Sequence, residues 1–258
     1  MCLLVVAHRQ HPKYRLIVAA NRDEFHERPA LPAAQWADDE TILGGRDLQG
    51  GGTWLAVNRA GQFAAITNVR TSRNITPRRS RGLIISDYLK KHGSATDFVE
   101  DLAKLGSSYE GFNLLASDSN SAAWYSNYSN ETRGLEPGVY GLSNHLLDTP
   151  WPKVNRIKAD FLAARALPEE ALIEALFNAL ANEQTAPDKD LPDTGISREF
   201  EKVLSPVFIS GESYGTRCST IILISHSREL TFLERRFGPN KMLTGESSYK
   251  FELDPVAN

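Results

Sequence analysis

Cys2 has the clearest capacity for chemistry in this sequence. A small residue behind Met1 normally lets the initiator methionine be removed, and Cys2 would then carry a thiol and a free α-amine together. In unperturbed peptides that amine titrates at about 7.7–8.0 and the thiol at about 8.5, so one can act as base for the other near neutral pH. This is the N-terminal form of base-activated covalent catalysis. It calls for a nearby arginine to favour the thiolate, and for carboxamide donors where a tetrahedral oxyanion would develop. The plainer reading of Cys2 is a small apolar residue opening a strand.

Other chemistry-bearing residues point to less. The glycine-rich stretch Gly44–Trp54 lacks the Lys-Ser/Thr of a phosphate loop and reads as a tight loop beside a site. Arg70, Arg73, Arg78, Arg79 and Arg81 form a basic stretch, read as a solvated lead into a helix, with anion binding as its alternative. His8 and His11 have a metal-like spacing, but no further ligands cluster near them, so no metal site is expected. Cys218 lies in a β-rich run and is expected to be buried and inert.

A net charge of -3 gives no reason to expect nucleic acid or an anionic membrane as a bulk partner. Two cysteines are too few for a disulfide scaffold and suit a reducing compartment, so the expected location is cytoplasmic. The apolar start is too short for a signal peptide, and no run is long enough to span a membrane.

The elements that must position these residues alternate in kind. Residues 2–7 and 15–20 read as a hairpin around His11-Pro12-Lys13. A loop marked by Pro29 and Pro32 and the glycine-rich loop follow. Next come strands at 54–58 and 62–69, turning at Ala60-Gly61. Leu83, Ile84, Asp87 and Tyr88 open a helix capped by Ser80, and Phe98, Leu102 and Leu105 a second one. Strands return at 112–117, 122–126 and 139–143. Val154, Ile157, Phe161 and then Leu172, Leu176, Leu180 mark another helix pair. A loop over 185–216 precedes strands at 217–225 and 230–236. Hairpin connections imply mainly antiparallel sheets. Two helix pairs could cover two stacked sheets as a four-layer α/β sandwich, in one domain over residues 1–258.

Asn21-Arg22-Asp23-Glu24 follows the second predicted strand and is the signature for which the NRDE family, also called the transport-and-Golgi-organisation family, is named. Gly44-Gly45-Arg46-Asp47, Gly51-Gly52-Thr53-Trp54, Ala64-Ala65-Ile66-Thr67-Asn68, Gly111-Phe112-Asn113, Gly141-Leu142-Ser143-Asn144, Pro150-Trp151-Pro152-Lys153 and Tyr214-Gly215-Thr216-Arg217 resemble it too. The chain is identified as a member along nearly its whole length. That family is similar to N-terminal nucleophile hydrolases of the choloylglycine hydrolase and acid ceramidase type. This implies an αββα sandwich with a cysteine nucleophile behind Met1.

Carried over residue by residue, the resemblance makes Cys2 the nucleophile, Asn68 an oxyanion-hole asparagine, Asn144 a second one, and Arg217 an arginine near the nucleophile. The hydrolases place an Arg and an Asp three residues apart. Here Arg22 and Asp23 keep the types at another spacing, while Asn21 and Glu24 keep the spacing with other types. Charge favours Arg22 and Asp23, with Asn21, Glu24 and Trp54 as binding neighbours. Each has a plainer reading, as a turn-forming Asn or a loop ion pair.

The implied activity is cleavage of a linear amide or ester in a small-molecule or lipid-like substrate, with no cofactor required. The competing implication is a non-catalytic carrier. Members of the family have been linked to haem movement, and eukaryotic ones to lipid and acyl-CoA balance. Haem would then be held exchangeably by Cys2, His8, His26 or His145. Neither nucleic acid nor a particular oligomeric state is implied.

Overall fold

The computed structural model describes residues 2–70, 79–91 and 93–255. Alternation along the first strand, β1 (Cys2–His8), sets the layering. Leu4 and Val6 enter one buried cluster, while Leu3, Val5 and Ala7 enter another. A strand covered on both faces reads as an unbroken apolar run, which is why residues 2–7 carry no polar side chain.

β1 belongs to a six-stranded antiparallel sheet with β2 (Tyr14–Phe25), β10 (Gly138–Leu142), β11 (Tyr214–Ser225), β12 (Glu229–Phe237) and β13 (Leu243–Glu252), in the order β10-β1-β2-β11-β12-β13. The second sheet runs in chain order through β3 (Ala30–Trp36), β4 (Asp39–Asp47), β5 (Leu55–Asn58), β6 (Phe63–Asn68), β7 (Phe112–Ser117), β8 (Ala122–Ser126) and β9 (Glu131–Gly134). Leu4, Val18 and Ile222 from the first sheet meet Leu55, Phe63 and Leu115 from the second.

Helices α3 (Pro152–Ala164) and α4 (Glu169–Leu180) cover the outer face of the first sheet with Val154, Ile157, Phe161, Leu172 and Leu176. Helices α1 (Gly82–Lys91) and α2 (Ala95–Ala103) cover the second with Ile84, Tyr88, Val99 and Leu102. Spacings of three and four residues put each set on one helix face. Each of these fully buried side chains contributes about 1.5–3 kcal/mol relative to exposure. The fold is the αββα sandwich.

Several boundaries differ from expectation. The segments marked by Pro29, Pro32 and Gly44-Gly45 are strands β3 and β4. Pro32 is tolerated because β3 is an edge strand whose register shifts between Leu31 and Ala34. Asn21 to Glu24 do not follow β2 but lie inside it, paired with β11 as far as Phe25. The predicted loop over 185–216 contains a short helix, α5 (Arg198–Val203), and the start of β11. Leu105 lies beyond α2 and is exposed. β9 and β13 are edge strands rich in exposed polar residues, without the apolar signal that marks a buried strand.

Candidate active site

Register places Cys2 directly opposite Arg22, and Leu3 opposite Asn21. Cys2 shares its face with Leu4, so its thiol looks between the sheets. Ser143, just past β10, donates its hydroxyl to the Cys2 carbonyl at 3.1 Å and fixes the backbone that carries the thiol. Burial pushes the thiol above its ordinary range; Arg22 pulls the other way, and Asp23 and Glu24 push it further up.

Cys2 opens onto a cavity of about 450 Å³. Arg22, Asp23, Glu24, Trp54, Thr67 and Asn68 line it. Arg28, Asp47, Arg79, Arg81, Gly50 and Gly52 line it as well. Arg22 is 5% exposed and its guanidinium stacks 4.2 Å from the Trp54 ring. Its charged partner is Asp47, at a loose 3.4 Å. Asp47 is drawn more tightly to Arg28, at 2.7 Å, and also accepts the Gly50 amide. A Cβ at Gly45 would sit 2.2 Å from Trp54 Cη2, so this glycine makes the room in which Trp54 stacks.

Asn68 ends β6 and lines the cavity. Asn144 is fully buried behind it, donating Nδ2 to the Asn68 side-chain oxygen at 3.0 Å and to its carbonyl at 3.1 Å. With its oxygen taken, Asn68 keeps Nδ2 as the donor it can offer the cavity. The structure brings both asparagines together, but Asn144 spends its amide on orienting Asn68. Asn113 buttresses the pair, donating to Thr67 Oγ1 and to the His145 carbonyl.

The opposite sheet face carries Asn21 and Asp23. Asn21 donates to the Leu180 and Val207 carbonyls and accepts from Ser219, a buried bracket between sheet and helix layer. Asp23 accepts the Thr216 hydroxyl at 2.8 Å. Burial raises its carboxyl above the usual range, against the pull of Lys153. Glu24 returns to the cavity side, 3.8 Å from Arg28. These partners explain how four consecutive polar residues remain in a strand.

Not every expected residue joins the cluster. Arg217 occupies the bulge where the β2–β11 register shifts, and its guanidinium donates to the Phe25 and Arg28 carbonyls, tying down a turn rather than lining the cavity. The basic stretch divides: Arg79 and Arg81 line the cavity, while Arg70 is buried and paired with Glu201 at 2.6 Å rather than solvated. Arg73 and Arg78 lie outside the described residues, as does Met1.

The histidines considered as haem ligands lie elsewhere. His8 closes the far end of β1, about 20 Å along the strand from Cys2. His26 packs near Gly215, and the His145 ring lies against Tyr128 and Trp151. Among the described residues the cavity wall offers no imidazole, and its guanidinium and carboxylate lining does not fit a histidine-ligated haem. Sequence reasoning gave no individual role to Ser143, Asp47, Asn113 or Lys153, although each lies in a motif it singled out.

The family model for Transport and Golgi organisation 2 matches residues 1–239. The Transport and Golgi organization protein 2 homolog of Homo sapiens is 34% identical over 278 residues, covering 98% of this chain and 99% of the relative. That of Bos taurus is 35% identical over 259 residues, covering 91% and 92%. Among solved structures, the N-acylethanolamine-hydrolyzing acid amidase ortholog of Caenorhabditis elegans superposes with a TM-score of 0.50 at 12% identity, covering 86% of this chain and 92% of that one.

Proposed function

The chain belongs to the Transport and Golgi organisation 2 family, and we propose that it is an N-terminal nucleophile hydrolase that cleaves a linear amide bond with Cys2. The observation that carries this reading is the meeting of Cys2, Arg22 and Asn68 on one cavity, with Asn144 and Ser143 holding two of the three. The fold also supports it, being one in which the worm amidase named above hydrolyses N-acylethanolamines. Two free thiols suit a reducing compartment such as the cytoplasm.

Removal of Met1 exposes the Cys2 amine. In its neutral form the amine takes the thiol proton, and the sulfur attacks the substrate carbonyl carbon. The carbonyl electron pair moves onto oxygen, where Asn68 Nδ2 donates to it. Collapse expels the leaving amine, which takes the proton back from the Cys2 ammonium and leaves a thioester. Water, deprotonated by the same amine, then releases the acid and the thiol. Arg22 stabilises the thiolate at both ends of this cycle, and its stacking on Trp54 keeps it in place.

The reading is tested by presenting a panel of N-acyl amides to the processed protein and following product release with rapid quench and mass analysis of the Cys2 peptide. Turnover with an acyl increment on Cys2 is expected. A processed protein that hydrolyses no member of the panel and accumulates no acyl-enzyme contradicts it.

A further inference from the structure

Lys153 is the most awkwardly placed charge near this site. It is 2% exposed, and its Nζ makes no hydrogen bond among the described residues. It also sits in the first turn of α3, directly after Pro152, where the positive end of the helix dipole opposes a cation. Burial, helix position and the missing hydrogen bond all disfavour an ammonium here, so packing alone gives no reason for a lysine over methionine.

Its surroundings explain it. The charges that act on its amine are Asp23 from β2, Arg70 from the segment after β6, Cys2 from β1 and Glu201 from α5, and Asp23, Cys2 and Arg70 also act on the Tyr214 hydroxyl of β11. Arg70 and Glu201 satisfy one another at 2.6 Å. Asp23, already accepting from Thr216, is the carboxyl whose charge acts on both Lys153 and the Cys2 thiol. Alone, a buried carboxylate there would favour a protonated amine and a protonated thiol on Cys2, the opposite of what a nucleophile–base pair requires.

We infer that Lys153 is a positioning residue of the Cys2 site, whose buried ammonium offsets Asp23 and so keeps the Cys2 amine unprotonated and its thiolate accessible. The inference rests on the hydrolase reading for the role of the amine. Burial brings the Lys153 amine down to about 8, so it remains mostly charged at neutral pH. It acts by its field, through space, and transfers no proton itself.

The test is the pH dependence of Cys2 alkylation by iodoacetamide, read by peptide mapping so that Cys218 is scored separately. It compares the wild type with Lys153→Met, Lys153→Gln and Lys153→Arg, with thermal unfolding followed in parallel. Removing the cation should move the Cys2 inflection about one unit to higher pH and slow alkylation at pH 7 about tenfold. Lys153→Arg should retain the wild-type inflection. A folded Met or Gln variant with an unshifted inflection overturns the inference. Alkylation needs only the thiolate, so this comparison decides Lys153 independently of whether an acyl-amide probe reacts.

Discussion

Cys2 and Cys218 stand on the same row of the six-stranded sheet, one on each side of Arg22. Two strand spacings separate them by about 10 Å, beyond the roughly 7 Å within which a disulfide closes. Both are buried, and burial pushes both thiols up. They share the same guanidinium yet differ in what else they face. Cys2 opens on a cavity with Asn68 and Trp54, whereas Cys218 lies against Glu234, a carboxyl whose charge raises the thiol further. Both thiols have carboxyl neighbours that raise them, so the difference in reactivity proposed above rests on access to the cavity, not on the cysteine or the arginine alone.

The largest effect should come from removing one thiol and not the other. Cys2→Ala should reduce amide hydrolysis by about a thousandfold or more, while Cys218→Ala keeps turnover near wild type. Equal losses in steady-state assays would erase the distinction. Next, Asn68→Ala should lower kcat by about 10²–10³, the usual consequence of losing one oxyanion donor. Its Cys2 alkylation rate should stay unchanged, separating oxyanion stabilisation from thiolate formation.

Arg22→Gln should slow Cys2 alkylation at pH 7 by about tenfold and leave the buried Cys218 unreactive as before. Arg22→Lys should restore only part of it, because an ammonium cannot reproduce the planar stack on Trp54.

The smallest effect lies far from both thiols. Hydrogen bonds from Lys13 and Tyr14 hold the Glu169 carboxyl down at about 2, against 4.5 for the unperturbed group. Between those values the unfolded chain binds more protons, so this stabilisation is present above about pH 4.5 and fades as pH falls toward 2. Glu169→Gln should therefore lower Tm modestly at pH 6 and lose that difference by pH 2, with Cys2 reactivity at neutral pH untouched.

Most of the layering was legible in the sequence because it rests on periodicity. Leu3 to Ala7 reads as a two-sided buried strand, and Leu172, Leu176 and Leu180 as one face of a helix. Edge strands escaped notice where their residues are exposed, as in β9, or where Pro32 imitates a loop, as in β3, and the interior β4 escaped because its paired glycines do the same. The resemblance led to Cys2, Arg22, Asp23 and Asn68, all of which line one cavity. It could not distinguish Asn68, on the wall, from Asn144 behind it, since that depends on which amide donates to which. Nor could it reveal that Arg217 would turn to the Phe25 and Arg28 carbonyls, a consequence of the bulge it occupies. Lys153 was hidden because the burial of one lysine depends on parts of the chain far apart in sequence packing together around it.

Intact mass of the purified protein before and after reaction with an electrophilic acyl-amide probe, beside Cys2→Ala, tests the central claim most directly. The account predicts a chain lighter by Met1 and a single adduct that the Cys2→Ala protein lacks. A chain that keeps Met1, or a processed chain that takes up no adduct at Cys2, would contradict it.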